Sequence, residues 1–116
     1  MNKYFALAAM VAAIFFFANC SSSKKTMAMA PPKLNYETNL QAIVVANCSP
    51  CHIPAKGGNK KPYDNFANVK TDIDEIIRRI ELAPSVRGFM PFKHDKLSDS
   101  TIAVFKQWRA EGLLEK

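Results

Sequence analysis

Apolar residues are laid out along this chain in two ways. From Phe5 to Ala18 they run without a charge, and after Tyr36 they return at intervals of three and four. The second pattern has the period of a helix with one buried face. Leu40, Ile43 and Val44 predict a first helix from Glu37 to about Ala46, which Asn47 and Cys48 continue by another turn. Ile73, Ile76, Ile77 and Ile80 form a second stripe, and four isoleucines at that spacing face a core. Thr71 is placed to cap this helix, Asp72, Asp74 and Glu75 favour its positive end, and Arg78 and Arg79 sit toward the other. The residue before Pro84 is biased away from helical backbone, so the helix is expected to stop near Leu82. Ile102, Phe105 and Trp108, with Val104 paired to Trp108, mark a last helix with Ser98 as cap, Asp99 in the first turn and Gly112 as terminator. Its aromatic stripe is expected to pack across the first helix. Ile53 to Pro62 reads as a loop. The residues before Cys48 read helical and no strand pattern follows. The expected class is therefore all-α, three to four helices within residues 36–116.

The unbroken apolar run has a different meaning. It is 14 residues long, follows the positive start Met1-Asn2-Lys3, and falls short of the ~20 residues a spanning helix needs. That combination reads as an export signal over residues 1–19. Phe17-Ala18-Asn19-Cys20 resembles a bacterial lipobox, whose cysteine is lipidated and becomes the new N-terminus; the usual pattern is Leu-Ala-Gly/Ala-Cys, from which Phe17 and Asn19 depart. An uncleaved anchor, or secretion with an incidental Cys20, are the other readings. Residues 20–35 are then the lipid-anchor cysteine and a flexible tether of small, polar and proline residues, with Lys24 and Lys25 near anionic headgroups and Met27 and Met29 exposed. The expected location is exported, periplasm-facing and membrane-anchored through lipidated Cys20.

Charge changes little once it is divided. Of the formal +6, Lys3, Lys24, Lys25 and Lys33 lie ahead of Tyr36, leaving twelve basic against ten acidic residues in 36–116. There is no basic run, base-stacking module or zinc-finger spacing, so nucleic acid is not an expected partner.

The chemistry concentrates in Cys48-Ser49-Pro50-Cys51-His52. Two thiols two residues apart, with an imidazole next, read as a covalent attachment site for haem c. Each thiol can add to one porphyrin vinyl group, which brings His52 under the iron as proximal ligand. Cys-x-Pro-Cys also resembles the redox pair of thioredoxin-like proteins, which needs a lowered thiol pKa, a preceding strand, a βαβ context and a later cis-proline loop. A zinc site on Cys48, Cys51 and His52 would need a fourth ligand, and adjacent Cys-His is poor tetrahedral spacing. A plain disulfide is the last rival, and it leaves His52 without a role. The outer nitrogen of His52 is expected to bond a backbone carbonyl, with Pro62 the candidate because its φ is fixed. Phe66 and Val69 are expected at the ring edge. In Val86–Phe92, Met90 is the candidate distal ligand, with Gly88 allowing close approach, Pro91 stiffening the segment and Phe89 and Phe92 excluding water. Met90 as apolar filler, and His94 as ligand instead, are the alternatives; His94 otherwise reads as an exposed loop histidine.

Taken together, Cys48-Ser49-Pro50-Cys51-His52, Gly88-Phe89-Met90-Pro91 and a closing helix with Phe105 and Trp108 resemble the class I cytochrome c family in its short, single-haem bacterial form. The resemblance covers about residues 36–116. The family often carries a glycine eight residues before the first motif cysteine and an aromatic four before; Leu40 and Val44 stand there. The resemblance implies a small helical fold wrapped round one haem, acting as a one-electron carrier rather than an enzyme. Its partners would be redox proteins, with no small-molecule substrate. Two further roles stay open: a haem-bearing subunit through which electrons enter a larger oxidoreductase, and a haem sensor or enzyme with a displaceable distal ligand. Lys56, Lys60, Lys61, Arg87, Lys93 and Lys96 lie in the two loops expected to flank the haem edge, where they could steer acidic partners.

Overall fold

A computed structural model describes residues 30–116. The export segment, Cys20, Met27 and Met29 lie outside the described residues. Within them the regular structure is helical and no strand forms, as the periodicity predicts. The first helix, α1, spans Gln41–Cys48 and is entered through a wider π-helical turn, Tyr36–Leu40. A short helix α2 (Phe66–Thr71) leads into α3 (Ile73–Glu81), and α4 (Asp99–Ala110) closes the chain. No helix among the described residues is long and apolar enough to cross a membrane.

The apolar stripes meet where the sequence places them. Leu40 and Val44 from the first helix, the four isoleucines of α3, and Ile102, Phe105 and Trp108 of α4 form one buried cluster. Trp108 is fully buried against Tyr36 and Phe66, with ring centroids 6.1 and 6.2 Å away. The aromatic side of α4 thus crosses the start of the first helix as expected, and the aromatic that meets it, Tyr36, comes one turn before Leu40.

Both ends of this crossing are tied. Gly112, at φ +105°, takes the left-handed geometry that ends a helix, and Leu113 then donates its N–H to the Trp108 carbonyl at 3.0 Å. The chain turns back so that Leu114 offers its carbonyl to the Trp108 indole N–H (2.8 Å) and to the Tyr36 backbone N–H (2.9 Å). Ser98 caps α4 by accepting from the Thr101 N–H at 3.2 Å.

Two local expectations need correction. Thr71 does not cap α3; it ends α2, and its hydroxyl donates to the Ala67 carbonyl at 2.8 Å. Asp72 is the junction between the two helices, and its side chain is turned to other partners described below. Phe66 and Val69 do not border the candidate cleft. They belong to α2, whose inner face feeds the core: Val69 is fully buried and Phe66 lies edge-on to Tyr36 at 5.8 Å. Asn65 caps α2 by accepting from the Asn68 N–H at 3.0 Å.

Candidate functional site

One cleft of about 520 Å³ gathers the chemistry of the chain. That size lies within the range of small-molecule and cofactor sites. Its rim and walls include Cys48, Cys51, His52, Met90 and His94, and Ile76, Ile80 and Phe105 supply apolar lining from α3 and α4. The two loops that the sequence marks as bearing donors therefore border the same space, although 38 positions separate His52 from Met90 in the chain.

Cys48 is the last residue of α1, and the chain leaves the helix there in a tight turn: His52 donates its N–H to the Cys48 carbonyl at 2.9 Å, and Ile53 donates to Pro50 at 3.1 Å. The loop that follows folds back along this turn. Lys60 donates to the Cys51 carbonyl (3.0 Å) and Tyr63 to the His52 carbonyl (2.8 Å). Gly58 makes the close return possible, since a Cβ there would fall 2.4 Å from the Pro50 carbonyl oxygen. Only glycine fits that approach without moving backbone.

Cys48 does not have the character of the reactive thiol of a redox pair. Cys48 is half-buried, and burial pushes its thiol up to about 11. It also sits at the negative end of a helix dipole, which disfavours a thiolate. A thioredoxin-like pair needs the opposite on both counts, along with a strand that is not present among the described residues. The two sulfurs are not joined to each other. No three His, Cys, Asp or Glu side chains among the described residues converge as ligands to an ion. A tetrahedral zinc site lacks its donor set here, whereas a porphyrin iron asks the protein for two axial ligands only.

His52 is held on two sides. Its Nδ1 lies 2.6 Å from the Lys61 carbonyl oxygen. A carbonyl can only accept, so Nδ1 is the donor of this bond, and Nε2 is the ring nitrogen it leaves unengaged. The acceptor is thus Lys61 and not Pro62, one position earlier than expected. Pro62 still contributes: it fixes the backbone immediately after the acceptor. Tyr63 stacks on the imidazole with centroids 4.5 Å apart and planes 14° from parallel. The Tyr63 hydroxyl donates to Asp72 Oδ2 at 2.8 Å, and the Lys61 ammonium pairs with the other carboxylate oxygen, Oδ1. These two partners hold the Asp72 carboxyl below its ordinary range.

Met90 is half-buried in the cleft, and its backbone is hung on the end of α3. Its N–H donates at 3.2 Å to the Arg79 carbonyl, one of the last helical carbonyls without an intrahelical partner. The Arg79 side chain reaches the Gly88 carbonyl at 3.4 Å while its Nε bonds Glu75 at 2.6 Å. Gly88 does not border the cleft. Its glycine is required by a φ of +98°, with nothing closer than 3.8 Å to the position of a Cβ. Phe89 is buried outside the cleft, and Phe92 lines the mouth with 64% of its surface exposed. The apolar lining of the cleft comes instead from Ile76, Ile80 and Phe105. His94 borders the cleft but is exposed, in keeping with a loop histidine.

The contacts of Lys61, Tyr63 and Asp72 around His52 are not legible in the sequence, where Lys61 reads as a surface cation and Asp72 as a charge at a helix start. Pro62 was the visible signal; the link from Asp72 back to its two neighbours has no periodic signature. No protein-family model matches the chain, and neither does any curated protein or solved structure.

Proposed function

We propose that the chain is a single-haem c-type cytochrome, a one-electron carrier whose helices surround one covalently held haem. The observation that carries this reading is the shared cleft: two unlinked thiols, an imidazole whose Nδ1 is engaged by a backbone carbonyl, and a thioether border one space with apolar lining. That donor set fits the group. Cys48 and Cys51 would hold the ring covalently, His52 would be the proximal ligand and Met90 the distal one. When bound, the haem would supply the one-electron couple of its iron. The chain's own residues do the rest. Lys61 gives the His52 Nδ1–H its acceptor, Arg79 anchors the Met90 backbone, and Ile76, Ile80 and Phe105 offer the ring apolar surface to pack on. With His52 and Met90 both holding the group, little would need to reorganise on electron transfer, and no substrate need bind.

The test is retention of haem after denaturation. Full-length protein exported from a bacterium able to attach haem should stain for haem on a denaturing gel, since only thioether bonds survive that treatment. A colourless chain with both thiols titratable would end this reading.

The same proposal places the carrier on a membrane through lipidated Cys20, with redox proteins as partners. Acyl chains contribute roughly 0.8 kcal/mol per buried methylene, so loss of the anchor has a large effect on partition. Cys20→Ala is expected to move the haem-bearing protein from the membrane pellet to the soluble fraction. Continued sedimentation with membranes would show that the export segment itself is the anchor.

A further inference from the structure

Asp72 stands outside the donor set, yet both contacts that orient the imidazole run through it. Its carboxylate holds the Lys61 ammonium and the Tyr63 hydroxyl at once. Those residues flank Pro62, and each reaches His52 by a different route. Lys61 gives the carbonyl that accepts from Nδ1, and Tyr63 gives the ring stacked on the imidazole and an N–H to the His52 carbonyl. The carboxylate is itself on a fixed post, because Asp72 donates its N–H to Val69 at 3.2 Å and accepts from Ile76 at 2.9 Å. Lys61 and Pro62, by contrast, are exposed and have no core packing of their own.

We propose that Asp72 is the positioning residue of the His52 centre: by gripping Lys61 and Tyr63 together it locks the tripeptide that supplies the imidazole with its hydrogen-bond acceptor and its stacking face. This rests on the reading of His52 as an iron ligand. A firm Nδ1–H to carbonyl bond makes the other nitrogen a better donor and favours the oxidised metal. Loosening the tripeptide weakens that bond and raises the midpoint potential.

The experiment compares four variants of the haem-loaded protein with the parent. In Asp72→Asn the His52 Nδ1–H should exchange with solvent roughly tenfold faster, the loss of about one hydrogen bond's worth of protection, and the potential should rise. Tyr63→Phe, which changes no charge, should shift both in the same direction by less, and it carries the test if Asp72→Asn does not fold. Asp72→Glu should restore both toward the parent. Asp74→Asn removes an equal charge from a side chain paired with Arg109 and clear of the tripeptide; it should leave proton exchange unchanged. If Asp72→Asn and Asp74→Asn shift the potential equally and neither alters exchange, Asp72 acts only as a charge and the proposal is overturned. Parent protein without covalent haem would be a different result, removing the functional reading beneath it.

Discussion

Replacing Cys48 and Cys51 together by alanine is expected to yield a chain with no covalent haem and no cooperative unfolding transition. The cleft between the end of α1 and the inner faces of α3 and α4 measures about 520 Å³. Apolar side chains that line it stay uncovered without the ring, and the net stability of a domain is only about 5–15 kcal/mol, so losing that burial removes a large fraction of it. The remaining core is a single cluster whose members Ile76, Ile80 and Phe105 present apolar surface to the cleft. Domains of this size commonly need a staple to fold. Under the proposed function the cofactor is that staple, filling the cleft and tethering the turn at Cys48 to the helices opposite. Circular dichroism during heating, with haem staining beside it, measures both effects. A sharp melting transition in the haem-free double variant would show that the helices are self-sufficient, and the staple argument would fail.

The parts legible in the sequence are those fixed by local rules. The isoleucines of α3 are buried because their spacing leaves one face for a core, and α4 starts at Ser98 because a hydroxyl there can reach a free N–H. The end of α3 at Glu81, with Leu82 beyond it, follows from Pro84. What escaped was set by contacts across the chain or by elements too short to have a period. α2 is six residues long and shows no repeat, so Asn65 was its only local mark. Tyr36 is buried by Phe66 and Trp108, which spacing near Tyr36 does not reveal. In the candidate site, spacing picked out Cys48, Cys51, His52 and Met90, and all four border one cleft. The acceptor for His52 came out one residue from Pro62, because its register depends on the fold-back allowed by Gly58 and sealed by Lys60 and Tyr63. Asp72 read locally as a charge at a helix start. Its reach back to Lys61 and Tyr63 appears only once the α2–α3 junction is placed beside the loop.

Met90→Ala is expected to change the character of the iron centre while leaving the covalent haem in place. The variant keeps the backbone bond from residue 90 to the Arg79 carbonyl, so the loop should stay on the end of α3. What it loses is the thioether. A soft, neutral donor favours the reduced metal, and its removal should lower the midpoint potential by on the order of 0.1 V or more, a fraction of the ~0.8 V that axial ligands span. The oxidised protein should pass from a low-spin to a high-spin spectrum, lose its sulfur-to-iron band and bind small ligands readily. His94→Ala is the matched comparison, since both side chains border the cleft and lie four positions apart, one half-buried and the other exposed. Removing His94 should leave spectrum and potential as in the parent. If His94→Ala is the change that opens the centre, with Met90→Ala silent, the distal donor is the histidine. If the parent is already high-spin and binds small ligands, the distal position is open, and the sensor or enzyme reading replaces the carrier. The pair of substitutions therefore separates a closed electron-transfer centre from a reactive one.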